Sequence, residues 1–207
     1  PTLIPLTSDP PWVTALQGLS LRNVRLTLQA GKKKLYTDLG EMLFTHFGIT
    51  GPLVLSASAY MAELAPDEGR LTLDLKPGLT AEQLEARILR DVAEAGKKQL
   101  GTVLCGLFPS RLAETMAQLC ALGWTTPACE LTKEGRMALV ERTKALQIPI
   151  SGPRPLSEAV VTRGGVSVKE IAPATMESKL ISGLYVAGEL LDVDALTGGY
   201  NLQIAFS

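Results

Sequence analysis

The sequence lacks the glycine-rich turn on which most dinucleotide-binding folds rely. No two of its nineteen glycines stand two positions apart, so the pattern Gly-x-Gly-x-x-Gly does not occur in the 207 residues. In such folds that turn, with the helix that follows it, holds the ADP half of the dinucleotide. We therefore expect that this chain does not contain the ADP half of a dinucleotide site.

Histidine and cysteine are scarce, which argues against several kinds of catalytic centre. His46 is the single histidine and no Cys-x-x-Cys pair occurs, so a zinc site is not expected. A serine hydrolase is poorly supported, because the nucleophile-elbow pattern Gly-x-Ser-x-Gly is absent. Since Cys105, Cys120 and Cys129 are odd in number and have mostly apolar neighbours, we expect buried thiols in a reducing cytoplasm.

Neither sign of charge predominates. The formal charge of −1 argues against a general nucleic-acid binder, because such proteins need a basic face. The compact basic cluster at residues 32–34 is predicted to be a solvated hairpin tip rather than a phosphate site. Residues 42–62 carry no formal charge, but glycine, proline and histidine interrupt them, which favours a strand and a buried helix over a membrane span. We expect a cytoplasmic protein with no nucleic-acid or membrane partner.

Period-two alternation predicts β-strands in the first part of the chain. Val24, Leu26 and Leu28 alternate with polar residues, and residues 71–76 alternate as regularly, so each run has one buried and one solvated face. Two further extended runs are predicted, at residues 35–37 and 41–47. A helix is predicted to begin at Pro52.

The periodicity changes to that of helices between residues 77 and 146. Thr80 and Gln83 form a capping-box pattern at the start of a helix that Gly96 ends. Further helices are predicted for residues 99–107, from residue 110 onward, and for about 132–146. The chain then returns to extended structure, with short strands predicted at 147–151 and 158–162.

These patterns predict an α+β fold. Residues 1–76 and 147–161 would form a discontinuous antiparallel β-barrel-like domain, interrupted by a small α-helical subdomain at residues 77–146. Residues 162–207 would follow as a separate segment. The composition, with 46% hydrophobic and 20% charged residues, is that of an ordinary globular protein.

Two segments near the C-terminus indicate ligand binding. Residues 184–187 predict a strand that ends at Gly188 and Glu189, where the backbone can approach a ligand and a carboxylate can accept hydrogen bonds from sugar-like hydroxyls. Gly198 and Gly199 precede a predicted helix whose free N–H groups favour an anion or an electron-rich carbonyl. The alternatives are a plain strand end with a surface acid and an ordinary glycine-rich turn.

Other candidates are less specific. Gly164 and Gly165, with Arg163, would place amides and a cation beside a phosphate or a flat cofactor ring, or would simply form a tight turn. Asp192 and Asp194 are interpreted as solvated or loop-capping acids rather than metal ligands.

The histidine is a further candidate. His46 lies just before the predicted helix start and would transfer protons or bind substrate, unless it is a packed, hydrogen-bonded histidine.

Two blocks of the sequence together resemble one bacterial flavoprotein family. The first is Glu-Met-Leu-Phe-Thr-His-Phe-Gly-Ile-Thr-Gly-Pro, from Glu41 to Pro52. The second begins with Thr-Arg-Gly-Gly-Val at Thr162 and ends with Gly-Tyr-Asn-Leu-Gln at Gln203. They are similar to the NAD(P)/FAD-dependent oxidoreductases of the aminoacetone oxidase type, over nearly all of the chain. In that family an N-terminal FAD-binding segment carries the glycine-rich fingerprint, and an insertion with a β-barrel part and a helical part precedes the return to the FAD domain.

The resemblance implies that about residues 1–160 are the insertion and that residues 162–207 are an incomplete C-terminal part of the FAD-binding domain. It implies FAD contacts at ten positions, which are Gly164, Gly165, Gly188, Glu189, Asp192, Gly198, Gly199, Tyr200, Asn201 and Leu202. His46 is the candidate substrate contact. Catalytic residues are not assigned by the resemblance.

We therefore expect a fragment of an FAD-dependent oxidoreductase, in which the insertion covers the flavin and shapes a pocket for a small-molecule substrate. The chain begins with proline, and its partner would be a missing N-terminal FAD-binding segment, so the chain alone would be inactive and retain no FAD. The substrate stays open among an amine, an unsaturated carbonyl and a steroid-like molecule. The alternative is an autonomous, non-enzymatic β-plus-α binding module; an RNA-binding barrel is a weaker alternative because the charge is near neutral.

Overall fold

The computed structural model describes residues 2–61, 64 and 68–207. Its strands are β1 (Leu6–Thr7), β2 (Ser20–Ala30), β3 (Lys33–Phe44), β4 (Gly48–Thr50), β5 (Gly69–Asp74), β6 (Leu146–Ile148) and β7 (Gly152–Pro153). Its α-helices are α1 (Pro11–Ala15), α2 (Pro52–Met61), α3 (Ala81–Ala95), α4 (Leu100–Leu107), α5 (Ser110–Leu119), α6 (Lys133–Lys144) and α7 (Tyr200–Ala205). The described strands form one seven-stranded sheet of antiparallel pairs, in the order β6-β5-β2-β3-β4-β1-β7. The predicted α+β class is confirmed.

The hairpin of β2 and β3 is the centre of the sheet. β5 pairs with the other edge of β2, so that Leu26 lies opposite Leu73 and Leu28 opposite Leu71. All four leucines are fully buried, because alternate residues of a strand point to the same face. The predicted alternation is therefore confirmed. The two extended runs predicted after residue 34 are one strand that ends at Phe44, since pairing with β2 runs through both.

The chain returns to the sheet after the helices, as predicted. β6 pairs with β5, and β7 pairs with β1 at the far edge. The strand predicted at residues 158–162 is wrong. Leu156–Glu158 is a 3₁₀ turn, and Arg154 binds Glu158 four residues further on, at 2.6 Å, which stabilises a turn rather than an extended chain. Val161 keeps one isolated bridge, to Thr2.

The helices begin and end close to the predicted residues. In the capping box the Gln83 N–H donates to the Thr80 hydroxyl at 3.2 Å, and the Thr80 N–H donates to the Gln83 side chain at 2.9 Å. Gly96 follows the end of α3 with a φ of 58°, which favours glycine. Among the described helices, none is both long and apolar enough to cross a bilayer.

The helical region shares its core with the sheet. Buried residues of β5, α3, α4 and α6 belong to one continuous hydrophobic cluster, and Lys144 ties α6 to the end of β5 through Asp74 at 2.7 Å. The expectation of three buried thiols is wrong for two of them. Cys105 and Cys129 are exposed and only Cys120 is buried, because the helical and 3₁₀ segments that carry the other two turn different residues inward.

We predict that Leu73→Ala destabilises the protein by about 2–5 kcal/mol, because it leaves a cavity where the side chain is fully buried. Chemical denaturation followed by circular dichroism would measure the loss. Leu39→Ala is the matched control, since Leu39 is 52% exposed on β3 and should cost less than about 0.5 kcal/mol. Equal losses for the two variants would show that the sheet interior is placed wrongly.

Candidate functional site

The segment 162–207, called the tail below, is mostly irregular. Its described elements are two 3₁₀ turns, Val168–Glu170 and Gly188–Leu190, and the helix α7. The strand predicted at residues 184–187 is wrong: Tyr185 makes an isolated bridge to Glu177, and the neighbouring backbone groups bond to Met176 and Ser178. A strand needs a neighbouring strand for its backbone hydrogen bonds, and this irregular hairpin supplies only part of one.

The structure brings the two predicted ligand segments of the tail together. α7 packs against the turn Gly188–Leu190, and a Cβ atom on Gly188 would lie 3.8 Å from the Ala205 carbonyl oxygen. The predicted helix start after Gly198 is confirmed, with Gly199 in the left-handed conformation at a φ of 83°. Glu189 is exposed beside this contact. The surface around α7 therefore carries the Glu189 carboxylate near the Ala205 end of the helix and the glycine turn at its other end.

Asn201 holds this surface in shape. Its side-chain NH₂ donates to the Ala195 carbonyl at 2.9 Å, and its side-chain oxygen accepts from the Ala195 N–H at 2.8 Å. Both polar ends of the amide are therefore engaged within the tail. Tyr200 covers Gly198, since a Cβ atom there would lie 2.8 Å from the Tyr200 ring. The Tyr200 ring and the side chain of Leu202 are otherwise about three-fifths exposed, at 60% and 62%.

Gly165 and Asp192 lie on adjacent backbone segments. The Val166 N–H donates to the Leu190 carbonyl at 2.8 Å, and the Asp192 N–H donates to the Val166 carbonyl at 2.9 Å. A Cβ atom on Gly165 would lie 2.5 Å from the Leu190 oxygen, so glycine is required here by backbone packing. Gly164 has open space beside it. The tight-turn interpretation therefore accounts for Gly165 without a ligand.

The acidic side chains of the tail do not assemble a metal site in the part of the chain that the structure describes, where no group of three metal-binding side chains occurs. Asp194 lies 3.7 Å from the Arg163 guanidinium, which makes it an ion-pair partner. The Asp192 side chain is exposed. The interpretation of both as solvated or loop-capping acids fits the exposure of Asp192, whereas Asp194 is partly buried in an ion pair.

Helix α2 links the tail to the barrel. The Thr197 hydroxyl hydrogen-bonds the Ser56 hydroxyl at 2.9 Å, and Ser56 also hydrogen-bonds the side chain of Tyr36 on β3. The Tyr36 ring stacks on Tyr60 with centroids 5.5 Å apart. Burial, and secondarily the charge of Asp38, raises the pKa of Tyr36 to about 12. Sequence patterns did not indicate this cluster, because its members come from distant segments.

His46 lies in the turn between β3 and β4. It is exposed and meets the Phe47 ring edge-on at 5.0 Å, so the interpretation as a packed histidine is wrong. The turn ends the strand at Phe44 and leaves the imidazole in solvent. Arg154 lies over the Phe47 ring at 4.4 Å. Hydrogen bonds from Arg154, with a smaller attraction from His46, lower the pKa of the Glu158 carboxyl.

We predict that Asn201→Ala loosens the loop that precedes α7, because two hydrogen bonds worth about 0.5–1.5 kcal/mol each are lost. Hydrogen–deuterium exchange should show a much faster Ala195 amide. Gln203→Ala, on the same helix with an exposed side chain, is the control and should leave this amide unchanged. Unaltered protection of Ala195 in Asn201→Ala would contradict the geometry.

We also predict that the free energy of unfolding falls between pH 10 and pH 12 through Tyr36. An unfolded tyrosine loses its proton near 10, whereas folded Tyr36 keeps it to about 12, so in this interval the folded state holds one more proton. Denaturation midpoints measured below and within this interval should therefore decline less in Tyr36→Phe than in the unmodified protein. Parallel declines in the two proteins would show that Tyr36 titrates normally.

Comparison with known proteins agrees with this architecture. The sequence model of the family described as "HI0933-like protein barrel and H2TH domain" matches residues 1–161. A 3-dehydro-bile acid delta(4,6)-reductase from Clostridium scindens is 32% identical over 179 residues, which cover 86% of this chain and 44% of the relative.

Two further relatives are both named ribosomal RNA dihydrouridine synthase. A ribosomal RNA dihydrouridine synthase from Haemophilus influenzae is 35% identical over 208 residues, which cover 100% of this chain and 49% of the relative. That of Escherichia coli is 31% identical over 206 residues, covering 99% of this chain and 49% of the relative. The chain spans about half the length of the curated relatives it matches. It belongs to the HI0933-like barrel and H2TH family, a family within the FAD-dependent oxidoreductase superfamily.

Proposed function

We propose that this chain is part of an FAD-dependent reductase that saturates a carbon–carbon double bond conjugated to a carbonyl group. The observation that carries the proposal is the chemistry shared by the names of the relatives, a bile-acid reductase and a dihydrouridine synthase. A double bond beside the oxo group of a 3-dehydro steroid and the ring double bond of uridine are both conjugated to a carbonyl. Both named substrates, a bile acid and an RNA, also carry negative charge. An unsaturated carbonyl compound is one of the three substrate classes that the sequence left open.

The tail fits one part of a flavin site. Gly164 and Gly199 have open space beside them, so a ligand can approach the backbone there. The exposed Glu189 carboxylate can accept hydrogen bonds from ribityl hydroxyls. We assign the same face to the pyrimidine edge of the ring, with Asp192, Tyr200, Asn201 and Leu202 shaping it. Bound flavin would supply the hydride chemistry, and these residues would hold and orient it.

The exposed apolar surface of the tail supports a larger flavin domain. Most of the large apolar side chains that are exposed lie after residue 155, among them Leu180 at 73%, Leu190 at 69% and Phe206 at 87%. Monomeric soluble proteins rarely expose extensive apolar surface, because its burial is favourable by about 25 cal/mol per Å². We propose that an N-terminal FAD-binding segment covers this face, with residues 1–161 as the insertion and residues 162–207 as the second half of the flavin domain.

The barrel and the helices would then form the cover of the active site. α2 touches the tail through Ser56 and Thr197, so it places the barrel beside the proposed flavin face. A cover of this kind excludes water from the hydride transfer and shapes the pocket. His46 lies in the turn between β3 and β4, and we propose it only as a contact for a part of a long substrate that extends away from the flavin.

We predict that the 207-residue chain alone, mixed with FAD and desalted, retains little or no flavin absorbance. The full-length product of the gene that encodes it should retain FAD and reduce a conjugated enone with NAD(P)H. In that protein Glu189→Ala should weaken FAD retention about tenfold or more, since a hydrogen bond to a charged group is worth about 1.5–3 kcal/mol. Glu170→Ala, an exposed acid elsewhere in the tail, is the control.

A full-length protein without flavin would contradict the proposal. In that case the alternative, an autonomous β-plus-α binding module without enzyme activity, would account better for the stable fold of residues 1–161.

A further inference from the structure

A cleft of about 760 Å³ lies between the barrel and the tail. One wall is the tip of the β2–β3 hairpin with Lys33 and Lys34, a second is the end of α2 with Tyr60, and the third is the tail with Asp194 and Leu196. We infer that this cleft binds the substrate, an inference that rests on the proposed function. The substrate would be a flat ring compound with an anionic group at some distance from the ring.

Tyr60 provides a fixed surface for a ring. One side of its ring stacks on Tyr36, which is only 8% exposed, while Tyr60 itself is 41% exposed towards the cleft. An aromatic ring that is held on one side and open on the other favours stacking or edge contact with a flat ligand. Leu196, 37% exposed on the facing wall, adds apolar surface. The wall is therefore suited to a ring rather than to a flexible polar chain.

The charge of the cleft selects an anion. Lys33 and Lys34 are exposed, and among the residues that the structure describes no carboxylate pairs with either ammonium group. Among the lining residues that the structure describes, two are acidic and both have partners: Asp194 lies 3.7 Å from the Arg163 guanidinium, and Glu68 also makes a polar or ring contact. The two lysines therefore contribute positive charge at one end of the cleft, where a carboxylate or phosphate would lie.

The position of the cleft connects it to the proposed flavin face. Leu196 is followed directly by Thr197, which is fixed to α2, and then by the glycines that begin α7. A ligand that extends from the hairpin tip to Leu196 would thus present its ring next to the flavin-holding segment. Its anion would stay at the lysines, away from the electron-rich reduced flavin. The hairpin tip would then be a specificity element rather than the inert solvated turn expected from the sequence.

The test is a binding titration of the flavin-free 207-residue protein, followed by backbone amide NMR shifts. The probes are uridine 5′-monophosphate and a 3-dehydro bile acid, each with an uncharged counterpart, uridine and the bile-acid methyl ester. We expect saturable binding of at least one charged probe, with shifts at the hairpin tip and α2, and at least about threefold weaker binding of its uncharged counterpart. The probe that binds identifies the source of the anion as a phosphate or a carboxylate.

Lys33→Gln and Lys32→Gln form a matched pair that removes the same charge from neighbouring positions. Lys33 lines the cleft, whereas Lys32 is exposed at the turn and is not among the lining residues. Lys33→Gln should weaken binding of the charged probe about three- to fivefold, and Lys32→Gln by less than about 1.5-fold. Tyr60→Phe should bind normally, while Tyr60→Ala should bind at least about fivefold more weakly.

Three results would overturn the inference: no binding of either charged probe, equal binding of the uncharged counterparts, or equal losses in the two lysine variants. Because these titrations contain no FAD, they fail or succeed separately from the proposed function. A full-length protein without flavin would refute the proposed reductase but would not affect the inference about the cleft. A flavoprotein in which neither probe binds the cleft would refute the inference but not the proposed reductase.

Discussion

The paired leucines of β2 and β5, fully buried on the inner face of the sheet, begin a hydrophobic core that continues without a break into the helices. Buried residues of the helical region at residues 77–146 belong to the same cluster as those of the sheet. The helices of this region pack mainly on one another, α6 contacts β5 and β6, and Lys144 at the end of α6 binds Asp74 at the end of β5. Regions that share one core are expected to unfold together. We therefore expect the barrel and the helices to unfold in one transition.

The tail is held by a different kind of interaction. Its described links to the rest of the chain include the hydroxyl pair of Thr197 and Ser56, while Asn201 and Arg163 stabilise it internally. Each such contact contributes about 0.5–1.5 kcal/mol net, far less than the burial of a core leucine layer. At the same time the tail exposes most of the large apolar side chains that face solvent. This imbalance supports the proposal that a further segment covers the tail.

Sequence patterns predicted the elements that depend on local physics. The alternation from Val24 to Leu28 and the capping box at Thr80 specify a strand and a helix start within a few residues, and the structure has both. The strand predicted at residues 184–187 failed because a strand is completed only by a neighbour, which no local pattern reports. The contact between Ser56 and Thr197 could not be predicted for the same reason, because the two residues are 141 positions apart in the sequence.

The candidate ligand-binding residues likewise include features that a local pattern predicts and features that depend on tertiary contacts. Glycine spacing correctly located the turn before α7, but it could not reveal that the backbone of Leu190 lies against Gly165 and leaves no room for a Cβ atom there. Likewise, the three consecutive lysines predicted a solvated hairpin tip. The fold shows that Lys33 and Lys34 border a cleft, whereas Lys32 is not among the lining residues. The surface that the hairpin faces is set by tertiary structure, which no local pattern reports.

The central claim is that the tail is one half of a flavin domain whose other half lies outside these 207 residues. Hydrogen–deuterium exchange, compared between this chain and the full-length gene product with FAD, tests it most directly. The account predicts that the amides of residues 162–207 exchange rapidly in the isolated chain and become strongly protected in the flavoprotein, while β2, β3 and β5 change little. Equal protection of the tail in both proteins would contradict it, because the tail would then be complete without a partner.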